Sequence, residues 1–177
     1  MNRNKILWLT RTAVLMALLV TLQWATSAMG QFVTGSCVNC VLVIAVLFAG
    51  LWGGVTVAIV SPFCAFLLGI GPKLVQIVPA IALGNLVLVV LMWLLLGKKT
   101  QAKLWENAVA VAVSAVAKFA VLYVAVVKVF IPLMGTALAE KQVQTFTAMF
   151  SWPQLVTALI GATVALALRA VLKKAIR

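Results

Sequence analysis

The chain has 177 residues, a formal charge of +12 from fourteen Lys and Arg against two acidic residues, and a composition that is 66% apolar. With a mean hydropathy of +1.23, no polar stretch is long enough to enclose the core of a water-soluble domain. A pI near 10.4 would suit nucleic acid, but the basic residues gather at the ends of apolar stretches instead of forming a stripe interleaved with aromatics, which argues against such a partner.

Apolar segments run at about 5–28, 37–52, 54–70, 75–96, 105–130 and 148–172. Crossing about 30 Å of hydrocarbon takes about 20 helical residues, so the pattern predicts six spans. The expected architecture is an all-α membrane protein, a six-transmembrane-helix bundle forming a single integral membrane domain over 1–177. The first segment opens with Arg3 and Lys5 like a signal peptide, yet the apolar run from Thr12 to Ala28 leads straight into further spans, so it is expected to stay as a helix. Thr10, Ala13, Ala17 and Thr21 follow helical spacing along it. Small side chains on one face let another helix approach closely in lipid, whether inside the bundle or on a separate subunit.

The second and third segments are short, with Gly53 and Gly54 predicted to lie between them. Cys37 and Cys40 form a CxxC at the start of the second. A zinc site there would lack two further protein ligands, and the plainer reading is two small residues opening a helix. Pro62 predicts a kink in the third segment, and Gly71-Pro72 ends it. In the fourth, Asn85 follows Gln76 by nine residues, on the opposite face of a straight helix; Pro79 and Gly84 between them could kink the helix and change that. In the fifth, Asn107, Val111, Ser114 and Lys118 share a face that points the lysine into the bundle. In the sixth, Gln154, Thr157 and Gly161 share another. Two longer connections, Met29 to Ser36 and Pro132 to Thr147, are expected on one face, either as lids over a site or as plain connectors.

Lys and Arg favour the cytoplasmic side. Placing both termini inside collects three clusters there, Arg3, Lys5 and Arg11, then Lys98, Lys99 and Lys103, then Arg169, Lys173, Lys174 and Arg177, which together hold ten of the fourteen basic residues. Trp8, Trp52, Trp93 and Trp105 then fall near the inner surface, with Trp24 and Trp152 near the outer one, as interfacial anchors do.

Catalysis has little to draw on. The chain contains no His and no Asp, and its only carboxylates, Glu106 and Glu140, are predicted at opposite surfaces. No enzyme activity, cofactor or metal is expected. Lys118 is the residue that packing explains least, since a cation within a span costs roughly 2.5 to 3.5 kcal/mol and the only acid in any predicted segment, Glu106, lies at the very start of the fifth. It is either a counter-charge for an anionic or carbonyl-rich ligand, or a group that is deprotonated or capped by backbone carbonyls and water. Asn39, Gln76, Tyr123 and Gln154 cluster with it toward the predicted outer half, where amides and an aromatic could line a shallow cavity for a small polar ligand. Hydrogen bonding between helices would explain any one of them.

The run Thr10-Arg11-Thr12-Ala13-Val14-Leu15-Met16-Ala17-Leu18-Leu19 resembles the first helix of the substrate-binding S components of energy-coupling factor (ECF) transporters. So do the size, the six spans, and the runs Leu51-Trp52-Gly53-Gly54, Ser61-Pro62 and Gly69-Ile70-Gly71-Pro72. The resemblance covers nearly the whole chain in architecture, and its sharpest motif is Ala13-x-x-x-Ala17. It implies a subunit in a prokaryotic cell membrane that captures a vitamin or similar micronutrient. Ala13 and Ala17 would dock a transmembrane coupling subunit that carries two ATPase subunits, and the outer-half residues would hold the nutrient. The absence of GxxxxGK[ST] from the chain agrees with ATP being hydrolysed by partners. The lone Lys118 argues against a cationic ligand such as thiamine and favours a carboxylate-bearing or neutral heterocyclic one. The competing reading is a self-sufficient small permease or channel acting as a homo-oligomer.

Overall fold

The computed structural model describes residues 3–99 and 102–175, those at 136 and 172–175 by backbone alone. Its long helices are α1 (Arg3–Thr26), α2 (Gln31–Phe48), α3 (Gly50–Leu67), α4 (Val78–Met92), α5 (Leu104–Leu122) and α8 (Trp152–Ala175). α4 is preceded by the short turn Val75–Ile77 and ends in a π-helical turn at Trp93–Gly97. α5 runs on through π-helical Tyr123–Phe130 into α6 (Ile131–Met134), and α7 (Glu140–Met149) leads into α8. Six of these helical stretches are long and apolar enough to cross a membrane. Large apolar side chains such as Leu9, Val14, Val60, Phe63, Leu94, Val116 and Ile160 are exposed around the bundle. Inside it, helical hydrogen bonding leaves the backbone self-satisfied, as hydrocarbon requires.

Two boundaries differ from those expected. The break between the second and third spans falls at Ala49-Gly50, where Gly50 takes a φ of +78°, a left-handed conformation that lets the chain reverse. Gly53 and Gly54 are instead buried inside α3. A Cβ on Gly53 would sit 2.9 Å from Thr12 Oγ1, and one on Gly54 2.9 Å from Val89 Cγ1. This pair therefore allows α1 and α4 to close on α3 rather than making a turn. The connection expected from Met29 to Ser36 is likewise mostly helix, because α2 already begins at Gln31. The second connection, Pro132 to Thr147, carries α7, whose Phe146 is buried while Glu140, Lys141 and Gln144 are exposed.

Polar contacts hold four of the basic residues at one end. Arg11 Nη1 donates to the Phe48 carbonyl (3.3 Å) and Arg169 Nη2 to that of Lys99 (2.8 Å). Glu106 accepts from Lys99 Nζ (2.7 Å) and from the Lys103 backbone N–H (2.8 Å). Arg177 lies outside the described residues, as do the side chains of Lys173 and Lys174. The larger apolar core, with Leu42, Val46, Val57, Leu88, Met92 and Leu96, joins α1 to α5 and α8. A smaller one, with Ile77, Leu122, Val126, Phe146 and Phe150, lies beneath α7.

Candidate functional site

Only small residues let α2 and α8 run as close as they do, and this interface is the most extensive in the bundle. A Cβ on Gly161 would lie 2.5 Å from the Ser36 carbonyl oxygen and 2.6 Å from Asn39 Cβ, while Gly35 abuts the side chain of Thr157. The close approach puts Asn39 within reach of α8. Its Nδ2 donates to Thr157 Oγ1 (3.4 Å), and that hydroxyl donates to the Gln154 carbonyl (3.2 Å).

From α5, Lys118 enters the same layer and is 3% exposed. Its Nζ donates to Asn39 Oδ1 (2.5 Å) and to Asn85 Oδ1 of α4 (2.7 Å). Two amide oxygens thus accept from Lys118 where no carboxylate is near, and they belong to side chains, not to the backbone carbonyls that one of the readings of the sequence offered. An ammonium has three donors, so one remains beyond the two asparagines. Pro79 lies in the first turn of α4, where its missing N–H leaves no gap and makes no kink before Asn85. Gln76 belongs to the separate turn before it, so counting helix faces from Gln76 to Asn85 does not apply.

Above this layer is a cavity of about 340 Å3. The C-terminal end of α1 contributes Gln23, the turn that follows it Ser27, the first half of α2 Gln31, Thr34 and Asn39, and the end of α3 Pro62 and Phe66. Ile81 and Asn85 of α4, Lys118 and Leu122 of α5, Phe150, and Gln154 of α8 complete it. Ser27, Gly30, Gly69 and Gly71 are exposed and line it too, so it reaches the surface at the end of the bundle opposite Arg11, Lys99 and Arg169. Pro62 is buried within α3 and lines the cavity; it removes a helical hydrogen bond at that depth. At the mouth, Gln31 Nε2 and Gln154 Nε2 both donate to the Met149 carbonyl, at 2.5 and 3.1 Å, tying the starts of α2 and α8 to the end of α7. Gln23 is buried, and its Oε1 has no hydrogen-bond partner.

Of the residues singled out from the sequence, Asn39, Lys118 and Gln154 line the cavity together, while Gln76 and Tyr123 are not part of its wall. Gln76 is exposed, and Tyr123 stacks near Phe119 with Lys128 Nζ 5.8 Å from its ring centre. Sequence reasoning overlooked Gln23, Gln31 and Thr34. A signal for Gln23 existed, since it is a polar group inside the first apolar run and shares a buried face with Thr12 and Leu19. Ala13 and Ala17, with Thr10 and Thr21, are all exposed on the other side of α1, so the alanine pair is not spent on packing within the bundle.

The lining mixes apolar walls with a few convergent polar groups, the usual make-up of a small-molecule site. Among the described residues no carboxylate or thiol lies in it, and no group of three or more His, Cys, Asp or Glu is placed to hold a metal. Asn85→Leu is expected to lower stability by about 1–3 kcal/mol, because it leaves a buried cation short of an acceptor. In a Lys118→Met background the same change should have a clearly smaller effect, which thermal unfolding of the four proteins of the cycle would measure.

The model of one protein family, described as ECF transporter, substrate-specific component, matches residues 8–172. No curated protein and no solved structure matches the chain.

Proposed function

The chain belongs to the substrate-specific components of ECF transporters, and on that premise we propose that it captures a vitamin or similar small water-soluble micronutrient in the Lys118 cavity. The observation that carries this reading is the cavity itself, with apolar walls, a floor of one lysine and two asparagines, and a mouth at a single end of the bundle. Lys and Arg favour the cytoplasmic side, and Arg11, Lys99 and Arg169 lie at the end away from that mouth. With both termini cytoplasmic, the cavity opens to the outside of a prokaryotic cell membrane, where a nutrient would be met.

Passage to the inside then requires partners. The chain has no nucleotide-binding motif, so energy comes from two ATPase subunits acting through a transmembrane coupling subunit. The uncovered stripe of Ala13 and Ala17 offers that subunit a close approach. Asn39, Lys118 and Gln154 hold the ligand in this reading, joined by Asn85 and by Gln31 at the mouth. Gln76 and Tyr123, which lie outside the cavity wall, have no part in this reading.

Native mass spectrometry of gently purified protein is expected to show a co-purified small molecule at one per chain. Lys118→Met should weaken its binding at least tenfold while the bundle stays folded, as read by titration of the ligand recovered from the wild type. Reconstituted alone, the protein should transport nothing, and uptake should require the coupling subunit, its ATPases and ATP. Transport by the chain alone would instead make it a self-sufficient permease.

A further inference from the structure

Resting on that reading, we infer that the cavity selects an organic monocarboxylate that also carries a hydrogen-bond donor, the carboxylate meeting Lys118 and the donor meeting Gln23. Among the described residues, Lys118 is the only charged side chain in the lining. Its two protein partners are neutral amide oxygens, which solvate the ammonium without cancelling its charge. Neither Glu106 nor Glu140, the only acids in the sequence, lines the cavity. A buried charge is tolerated best when an opposite charge joins it, and the third N–H of the ammonium is still to be used.

The number of charges limits the class. One cation balances one negative charge, so a phosphate monoester, close to doubly charged at neutral pH, would bring a charge with nothing to meet it. A cationic ligand would be repelled. A neutral carbonyl could accept the N–H but would leave the site with its net charge.

Gln23 adds the second requirement. Its Oε1 is buried without a donor while the residue is only 8% exposed and lines the cavity. A buried acceptor left unpaired is destabilising, and an N–H or O–H from a ligand relieves it. Gln23 comes from α1 and Lys118 from α5, so the two groups approach the ligand from separate helices. The cavity, of about 340 Å3, has room for a small ring-bearing molecule. Phe66, Phe150 and Leu122 supply apolar wall for a ring or short chain.

The test uses matched probes on detergent-purified wild type: 4-hydroxybenzoate, indole-3-acetate and benzoate, each beside its primary carboxamide, with affinity read from thermal shifts and calorimetry after removal of any co-purified molecule. The two carboxylates with a ring donor should bind at least tenfold more tightly than their amides. In Lys118→Met that preference should fall below twofold, and Lys118→Gln is run in parallel so that a folding defect in one variant does not decide the outcome. Gln23→Leu should weaken 4-hydroxybenzoate and indole-3-acetate at least fivefold while changing benzoate by less than twofold.

Amides that bind as well as the acids, a preference that survives both Lys118 variants, or the absence of any binding by the acids would overturn the assignment. A neutral or cationic molecule found by native mass spectrometry would overturn it as well, while leaving nutrient capture intact. Capture itself fails only if no molecule co-purifies and nothing is taken up with the full transporter.

Discussion

Ala13→Trp or Ala17→Trp is expected to abolish ATP-driven uptake in cells, by at least a hundredfold, while ligand affinity of the purified protein changes by less than twofold. Both alanines are exposed on α1, one helical turn apart, and Thr10 and Thr21 extend the same uncovered stripe. The helix meets its own bundle through a different face, with Thr12, Leu19 and Gln23. In lipid no hydrophobic force draws two helices together, so association depends on close packing at small side chains. An indole on the stripe would hold a partner helix off and would touch nothing within the bundle. Ala13→Ser, which adds a single atom, should leave uptake within a few-fold of wild type. If the tryptophan variants lose binding along with uptake, the stripe serves internal packing; if uptake persists, the partner docks elsewhere.

The second large effect is expected at Gly161, where Gly161→Leu should lower stability by about 3 kcal/mol or more and reduce ligand binding at least a hundredfold. Its missing side chain is what lets α8 lie against α2. Even a Cβ would sit 2.5 Å from the Ser36 carbonyl and 2.8 Å from the Cys40 backbone nitrogen, and backbone cannot swing aside as a long side chain can. Overpacking a tight interface typically costs about 1–3 kcal/mol, occasionally more, and here the displaced element carries Asn39, one of the two acceptors for Lys118. Ile160→Leu, one residue away on an exposed face, is the control and should change neither property. Thermal unfolding in detergent together with ligand titration reads both effects. A Gly161→Leu protein that retains normal Tm and affinity would mean that the α2 and α8 backbones are not in close contact.

Helix number and approximate span positions were legible in the sequence because hydropathy and chain length carry that information directly. The exact turns were not. Gly53-Gly54 read as a break since paired glycines usually interrupt helices, but at this site they serve close approach to Thr12 and Val89, and the reversal falls to Gly50 three residues earlier. Which helices become neighbours is a tertiary fact that local spacing does not encode.

The same division runs through the site. Lys118 stood out because an unmatched cation in an apolar run is anomalous by itself. Its partners did not, since Asn39 and Asn85 come from two other helices and only packing brings their oxygens to one nitrogen. Gln76 and Tyr123 were grouped with it on depth alone, and depth does not say which way a side chain turns. Gln23 lay hidden on the far face of a helix whose alanine stripe drew the eye.

The cradle around Lys118 also bears on how the polypeptide is built into the bilayer. Asn39 and Asn85 precede the lysine in the chain, and synthesis runs from the N-terminus, so both amides are inserted before the fifth helix emerges. The cation, at roughly 2.5 to 3.5 kcal/mol against insertion at the middle of a helix, can therefore leave the translocon toward acceptors already in place. The fifth helix is thus expected to insert less readily into a chain that lacks Asn39 and Asn85.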